Sequence, residues 1–247
     1  MRVAAIYDIH GNLPALEAVL AEIHEIGVDQ IVVGGDVVPG PMPCETVARL
    51  RQLPATTQFI PGNGENDVLA ALDGREISRV PEQFHETLRW TGEALSPKDA
   101  DVLASWPDVL RLDIPEVGPV LFCHATPRSD AEIFTRLTPQ DRLLPIFEDV
   151  DAAVVVCGHT HMQFDRRIGN VRVVNAGSVG MPFGEPGADW LLLGPTVELR
   201  HTTYDLAAAA ELILDSDYPP AQDFAERSIL RPPTEAEMLD LFERAAV

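Results

Sequence analysis

Hydrophobic residues along this chain fall into short runs that end abruptly on a polar or glycine residue. Residues 2–7 (RVAAIY) stop at Asp8, and a brief apolar run with a polar stop predicts a buried strand. Pro14 suits a first helical position, and Leu16, Val19, Leu20 and Ile23 then recur at the spacing of one apolar helix face, closed by Gly27. Residues 30–33 predict a second strand running into Gly34-Gly35-Asp36. A helix follows around residues 45–50, and residues 57–60 predict a third strand leading into Pro61-Gly62-Asn63. Strand, helix, strand, helix, strand is the order of an α/β layer with parallel strands.

Residues 81–107 carry a helical pattern in which Phe84, Leu88 and Leu95 are expected core contacts. Strands resume at residues 109–112 and 120–123, the latter ending at His124. A helix near residues 139–148 leads to a strand at 152–157 that ends at Gly158-His159-Thr160-His161. Residues 163–168 and 171–174 flank Gly169-Asn170, which predicts a hairpin. Residues 190–193 and 197–203 read as further antiparallel strands. The rest is helical, with Thr234-Glu235-Ala236-Glu237 as a capping box ahead of Met238, Leu241 and Phe242. Pro219-Pro220 and Pro232-Pro233 separate these helices rather than marking a domain boundary. Residues 1–247 are therefore expected to form one domain, a core of 1–205 with a helical extension of 206–247. Three roles are open to the segment after residue 180: covering a site mouth, contacting a subunit, or completing a sheet edge.

Charge narrows the function. The chain is 46% hydrophobic and 23% charged, as folded proteins are, but its formal net charge is −21. That excludes generic binding to nucleic acid or anionic lipid, which require a basic surface. It would also repel a phosphate substrate, so phosphate chemistry here requires bound cations that reverse the local sign. Cys44, Cys123 and Cys157 are an odd number without paired spacing, which argues against a disulfide framework and makes core packing the reading for the latter two. No apolar run approaches the ~20 residues of a spanning helix, and the expected location is cytoplasmic, away from membranes.

Five of the predicted strands run straight into a ligand-type residue: Asp8, Asp36, Asn63, His124 and His159. Loops at strand carboxyl ends converge above a rigid sheet, which is where sites collect. Asp8-x-His10 and His159-x-His161 each place two donors in one turn. Asp36 is a hard oxygen donor able to bridge two cations, and Asn63 adds a neutral carbonyl oxygen. Mixed imidazole, carboxylate and amide sets suit Mn, Fe, Zn, Co or Ni better than Ca or Mg. With one donor shared, these seven residues give two divalent cations four protein ligands each. Rival motifs are absent, there being no G-x-x-x-x-G-K-[ST], G-x-S-x-G or H-E-x-x-H. His24, His85 and His201 lack partners at ligand spacing and read as solvated or half-buried side chains. Ser178, between Gly177 and Gly180, reads as a polar wall residue of a loop near the site rather than a nucleophile.

The motifs Asp8-Ile9-His10-Gly11-Asn12, Gly35-Asp36-Val37-Val38-Pro39-Gly40, Gly62-Asn63-Gly64-Glu65, His124 and Gly158-His159-Thr160-His161 together resemble the calcineurin-like metallophosphoesterase superfamily. The resemblance implies an α/β fold, a four-layer α/β/β/α sandwich, and a hydrolase with two divalent metal ions, Mn2+ favoured. It implies one metal held by Asp8, His10, Asp36 and His161 and the other by Asp36, Asn63, His124 and His159. Asp36 and Asn63 would then also act in catalysis, Asn63 by stabilising charge on the phosphoryl oxygens beside a metal-bridging hydroxide. Asn12 is a candidate for donating either to the neighbouring ligand loop or to a substrate phosphate. Arg128 is a candidate for gripping phosphate, with a surface salt bridge as the alternative.

Two departures from the family's pattern shift the expected substrate. Gly64 stands where phosphoprotein phosphatases and dinucleoside tetraphosphatases carry a histidine, and no arginine follows the Gly35-Asp36 motif. The small bacterial and archaeal phosphodiesterases of the superfamily, which this chain resembles in that respect, also lack the histidine. The expectation is a small phosphate-ester substrate and hydrolysis of phosphodiester bonds. A nucleotide or dinucleoside polyphosphate hydrolase, or a phosphomonoesterase, is the alternative. A non-catalytic scaffold on the same fold is a third reading, disfavoured because such proteins lose ligands that this chain retains.

Overall fold

The structure, a computed structural model, describes residues 1–77 and 80–247. Its first half contains β1 (Val3–Ile6), α1 (Leu13–Ile26), β2 (Gln30–Val33), α2 (Pro43–Leu50), β3 (Gln58–Phe59), α3 (Asn63–Leu72), α4 (His85–Ala94) and α5 (Pro97–Ala104). The second half contains β4 (Val109–Ile114), β5 (Gly118–Cys123), α6 (Gln140–Phe147), β6 (Val154–Cys157), β7 (Phe164–Ile168), β8 (Val171–Asn175), β9 (Ala188–Leu193) and β10 (Val197–Thr202). The chain ends in α7 (Leu206–Leu214), α8 (Ala221–Phe224), which continues as a π-helical turn over Ala225–Leu230, and α9 (Glu235–Glu243).

Among the described residues the strands form two five-stranded sheets, ordered β10-β9-β1-β2-β3 and β4-β5-β6-β8-β7. Within each, three strands are parallel (β1, β2, β3 and β5, β6, β8); antiparallel strands close one edge of the first sheet (β9, β10) and both edges of the second (β4, β7). Alternation of side chains across a strand explains the layering. Ala4 and Ile6 of β1 face α1 and α2, whereas Val3, Ala5 and Tyr7 face the other sheet. In β6, Val154 and Val156 meet that same central layer while Val155 and Cys157 face Leu143 and Phe147 of α6. Strands buried on both faces need continuous apolar runs rather than alternating ones, which is why VAAI and VVVC are wholly hydrophobic. The result is the four-layer α/β/β/α sandwich.

Three expectations change. The third strand shrinks to Gln58–Phe59. Helix α3 was not legible: its glycine- and asparagine-rich opening reads as loop, but Glu65 completes a capping box with the backbone of Gly62. Phe84, expected in the core, is 49% exposed, whereas Leu88 and Leu95 are buried. The Thr234 capping box forms as read, and Cys123 and Cys157 are free and buried. None of the described helices is long and apolar enough to cross a membrane.

The segment after residue 180 does two things. Strands β9 and β10 complete the first sheet beside β1. The helices beyond pack as a separate cluster, in which Ile213, Tyr218, Phe224 and Ile229 meet Met42 and Trp90. Helix α9 is anchored to the 133–142 segment, where the Thr135 and Thr138 hydroxyls donate to Glu243 Oε1 at 2.6 and 2.8 Å and Val247 N donates to Ile133 O at 3.0 Å.

An ion pair clips β10 to β9. His201 Nδ1 donates to Asp189 Oδ1 at 2.8 Å, and the two residues are direct partners in the ladder. That hydrogen bond raises the His201 pKa above its ordinary value, while burial raises that of Asp189. A histidine pKa raised on folding stabilises below its unfolded value of about 6.5 and ceases to as pH climbs through the folded value. His201→Gln is therefore expected to lower Tm more at pH 6 than at pH 9, measured by thermal denaturation; an equal drop at both would deny the pair this role.

Candidate metal centre

Five non-glycine residues, among those described, have left-handed backbone: Asp8 (φ 54°), His10 (47°), Asp36 (50°), His159 (67°) and His161 (56°). All five are among the seven donors named from the sequence. An L-residue held there costs about 1–2 kcal/mol, and such strain gathers where a site demands a side-chain direction that ordinary backbone cannot supply. Here it turns the chain sharply at the ends of β1, β2 and β6, so that both donors of each D-x-H or H-x-H pair reach one side of the sheet.

Backbone hydrogen bonds tie these turns together. Asp8 N donates to Gly35 O at 3.0 Å, His10 N to Asp36 O at 2.9 Å and Gly180 N to Asp8 O at 2.9 Å. Gly35 is required at its position, since it has φ 92° and a Cβ there would lie 2.4 Å from Gly62 N. Glu65, buried in the first turn of α3, accepts from Asp36 N (2.8 Å), Gly62 N (2.7 Å) and Val38 N (3.0 Å). One carboxylate thus fixes both the Gly-Asp loop and the Gly-Asn loop.

The donor atoms gather into two groups, Asp8 with His10 and His161, and Asp36 with His124 and His159, each within 4.8 Å. Asp36 spans both: its Oδ2 lies 3.6 Å from His10 Nε2 and its Oδ1 3.5 Å from His124 Nε2. His10, His124 and His161 each point Nδ1 at a backbone carbonyl, of Pro39 (3.2 Å), Gly34 (2.9 Å) and Met181 (3.0 Å) respectively. A carbonyl only accepts, so Nδ1 carries a proton and Nε2 faces the site, the arrangement that orients metal-binding histidines. His10 Nε2 and His161 Nε2 are 3.2 Å apart. Asp8 Oδ1, Asn63 Oδ1 and His124 Nε2 are buried with no hydrogen-bond partner. Orphaned polar atoms in a protein interior are costly; His124 Nε2 and Asp8 Oδ1 lie 3.8 Å apart, and Asn63 lines the same cleft as His10, Asp36 and His159. The donor set therefore fits two divalent cations.

The electrostatics agree. Burial works to raise the Asp36 pKa, but His124 outweighs it through charge and a hydrogen bond and holds the carboxyl well below the usual range. Burial likewise opposes, and His161 with His124 achieves, a lowered pKa at Asp8. Burial pushes His159 down to about 4 and keeps it neutral. Both carboxylates are thus ionised ligands at neutral pH. Burial and the Asp36 charge push Glu65 up to about 7, with the Gly62 and Val38 N–H groups pulling the other way.

The structure brings together all seven sequence-named donors, and places the other candidates differently. Asn12 is fully enclosed: its amide donates to Gly180 O (2.9 Å) and Tyr204 Oη (3.2 Å), and its oxygen caps α1 at Ala15 N (3.2 Å). It serves the ligand loop, with no group left for a phosphate. Arg128 is bound by Glu132 at 2.6–3.1 Å, with its side chain 55% exposed, the salt-bridge alternative. Ser178 is no wall residue; fully buried, its hydroxyl donates to Asp8 O (2.7 Å) and accepts from Met181 N (2.8 Å). Glu65 and Asn175 were missed as supports. Asn175 donates to Gly158 O (2.6 Å) and Thr160 Oγ1 (3.1 Å), bracing the His159 turn. The signal existed for Asn175, which ends the apolar strand β8 as the ligands end theirs.

The sequence profile of the "Calcineurin-like phosphoesterase superfamily domain" matches residues 1–194. The uncharacterized protein MJ0912 of Methanocaldococcus jannaschii is 29% identical over 238 residues, covering 88% of this chain and 93% of its own. A metallophosphoesterase from Sphaerobacter thermophilus superposes with a TM-score of 0.73 at 24% identity, covering 92% of this chain and 97% of its own. The hypothetical protein PH1004 from Pyrococcus horikoshii OT3 gives 0.74 at 23% identity, over 94% of this chain and 99% of its own. These likenesses extend the shared fold beyond the profile, through most of the chain. A matched profile over most of the sandwich, with paired ligand clusters at the ends of its parallel strands, establishes that the chain belongs to the calcineurin-like phosphoesterase superfamily.

Proposed function

We propose that this protein hydrolyses phosphodiesters with two divalent cations, Mn2+ favoured, one bound by Asp8, His10, Asp36 and His161 and the other by Asp36, Asn63, His124 and His159. Such a pair supplies Lewis acidity and a nucleophilic water at neutral pH. The chain's own part is to fix geometry and charge. Asp36 sits between the clusters, and Gly64 N donates to its Oδ1 at 2.7 Å, orienting the carboxylate. Asn63 begins α3 and offers its side-chain oxygen to the site, while the positive end of that helix faces the anion.

The observation that carries the diester reading is Gly64. A Cβ there would lie 2.2 Å from Val38 O and 2.9 Å from Asp36 Oδ1. The loops of this chain leave no room for a side chain at that position, so nothing there can protonate a leaving alkoxide, and good leaving groups are favoured. Asn12 is engaged in the ligand loop, and Arg128 pairs with Glu132 at the edge of a cleft that His124 also lines. A singly charged diester asks less of such a site than a dianionic monoester.

The expected outcome with Mn2+-loaded protein is turnover of bis(p-nitrophenyl) phosphate with kcat/KM at least tenfold above that of p-nitrophenyl phosphate. Faster turnover of the monoester, or of ATP and dinucleoside tetraphosphates, would replace this reading.

A further inference from the structure

The donors form the floor of a cleft of about 920 Å3, where His10, Asp36, Asn63 and His159 are reached from solvent. Its walls are of another character: Phe84, Ile133, Met181, Tyr218, Phe224 and Phe242 line it. They come from four separate stretches of chain: the turn before α4, the loop before α6, the β8–β9 loop with Met181, and the C-terminal segment. Tyr218, Phe224 and Phe242 lie beyond residue 194, where the family profile ends. The ligand turns thus belong to the part of the sandwich that the profile describes, whereas much of the wall lies outside it.

The wall is also coupled to the floor. Phe183 stacks on His161 with ring centroids 5.4 Å apart, and Phe242 of α9 lies 6.1 Å from Phe183. Phe84 remains 49% exposed. Pockets of about 300–1,000 Å3 enclose most of a drug-sized ligand, with apolar walls and a few polar groups that fix its orientation. A phosphate with two small alkyl groups would leave most of this cleft unfilled. Aromatic walls gain most from flat rings, through offset or edge-to-face contact.

We infer that the substrate is a phosphodiester bearing a large ring-containing apolar substituent, held between Phe84 and the C-terminal helices by Tyr218, Phe224 and Phe242. This rests on the diester reading for the anion at the floor. The substituent's recognition is a separate property of the wall, and the C-terminal extension is then a specificity element.

The test uses inert anions of equal charge, so that binding is read apart from turnover. Manganese-loaded protein is titrated calorimetrically with methyl(phenyl)phosphinate, hexyl(methyl)phosphinate and dimethylphosphinate. The phenyl compound is expected to bind about tenfold tighter than the dimethyl one, in the range by which apolar pockets discriminate, and tighter than the hexyl one. Phe84→Ala, at a half-exposed position, and Phe242→Ala are each expected to reduce the phenyl preference at least threefold while leaving dimethylphosphinate affinity in place. A phenyl preference below threefold, a hexyl compound binding as well as the phenyl, or a preference that survives both variants overturns the inference. Absence of diester turnover with the phenyl preference intact would instead overturn the diester reading and leave the apolar subsite standing.

Discussion

Asp36→Asn is expected to lower kcat/KM for a diester by at least about a thousandfold, some 4 kcal/mol of transition-state stabilisation, and to reduce bound metal from two equivalents to one. Asp36 is the donor that faces both clusters, with one oxygen toward His10 and the other toward His124. An amide keeps only one acceptor. The Gly64 N–H, at 2.7 Å from Oδ1, selects the oxygen for that side. The NH2 group then points at the His10 cluster, presenting a donor where a cation needs an acceptor. The lost charge matters equally, because Asp36 and Asp8 are the carboxylates that offset two dications in a buried site. Metal analysis by mass spectrometry and turnover measured on the same sample provide the check. Two equivalents with unchanged turnover would refute the bridging assignment.

Glu65→Gln is expected to be nearly as damaging, although Glu65 touches neither substrate nor metal in this arrangement. Its two oxygens accept from three backbone N–H groups, of Asp36, Gly62 and Val38. Glutamine replaces one acceptor by a donor, which sets N–H against N–H in an interior that admits no solvent. An orphaned buried donor costs about 1–3 kcal/mol, and for a chain of this size each kcal/mol moves Tm by roughly 2–4 °C. A fall of at least about 4 °C is expected, with weakened metal binding because the Asp36 and Asn63 loops lose their common anchor. Glu237 gives the control: it fills the same capping-box position in α9, but exposed to solvent. Glu237→Gln should leave metal affinity unchanged. Equal behaviour of the two variants would deny Glu65 its positioning role.

The stops at the ends of apolar runs carried much of this molecule in plain view. VAAI before Asp8, QIVV before the Gly-Gly-Asp turn and VVVC before Gly158 predict both the parallel strands and the place where ligands gather. Period and polarity are local properties, and a buried strand cannot hide them. The hairpin at Gly169 and the Thr234 box are local in the same sense. Helix α3 was not legible because its start depends on Glu65 meeting loops 27–29 residues away in sequence. The place of Phe84, Tyr218, Phe224 and Phe242 in the cleft wall escaped for a related reason. Apolar residues mark a core and a cleft wall alike, and only packing decides which they become.

Sequence by itself determined that seven donors of the right chemistry stand at strand ends, since residue type and strand period are written in neighbouring positions. Tertiary structure alone decided the rest. It divided the donors between two groups with Asp36 facing both, committed Asn12 to structural bonds, and closed position 64 to any side chain. Each of these depends on contacts between residues far apart in the chain, and on the left-handed turns that the assembled sheets hold in place. No local pattern encodes a distance of that kind.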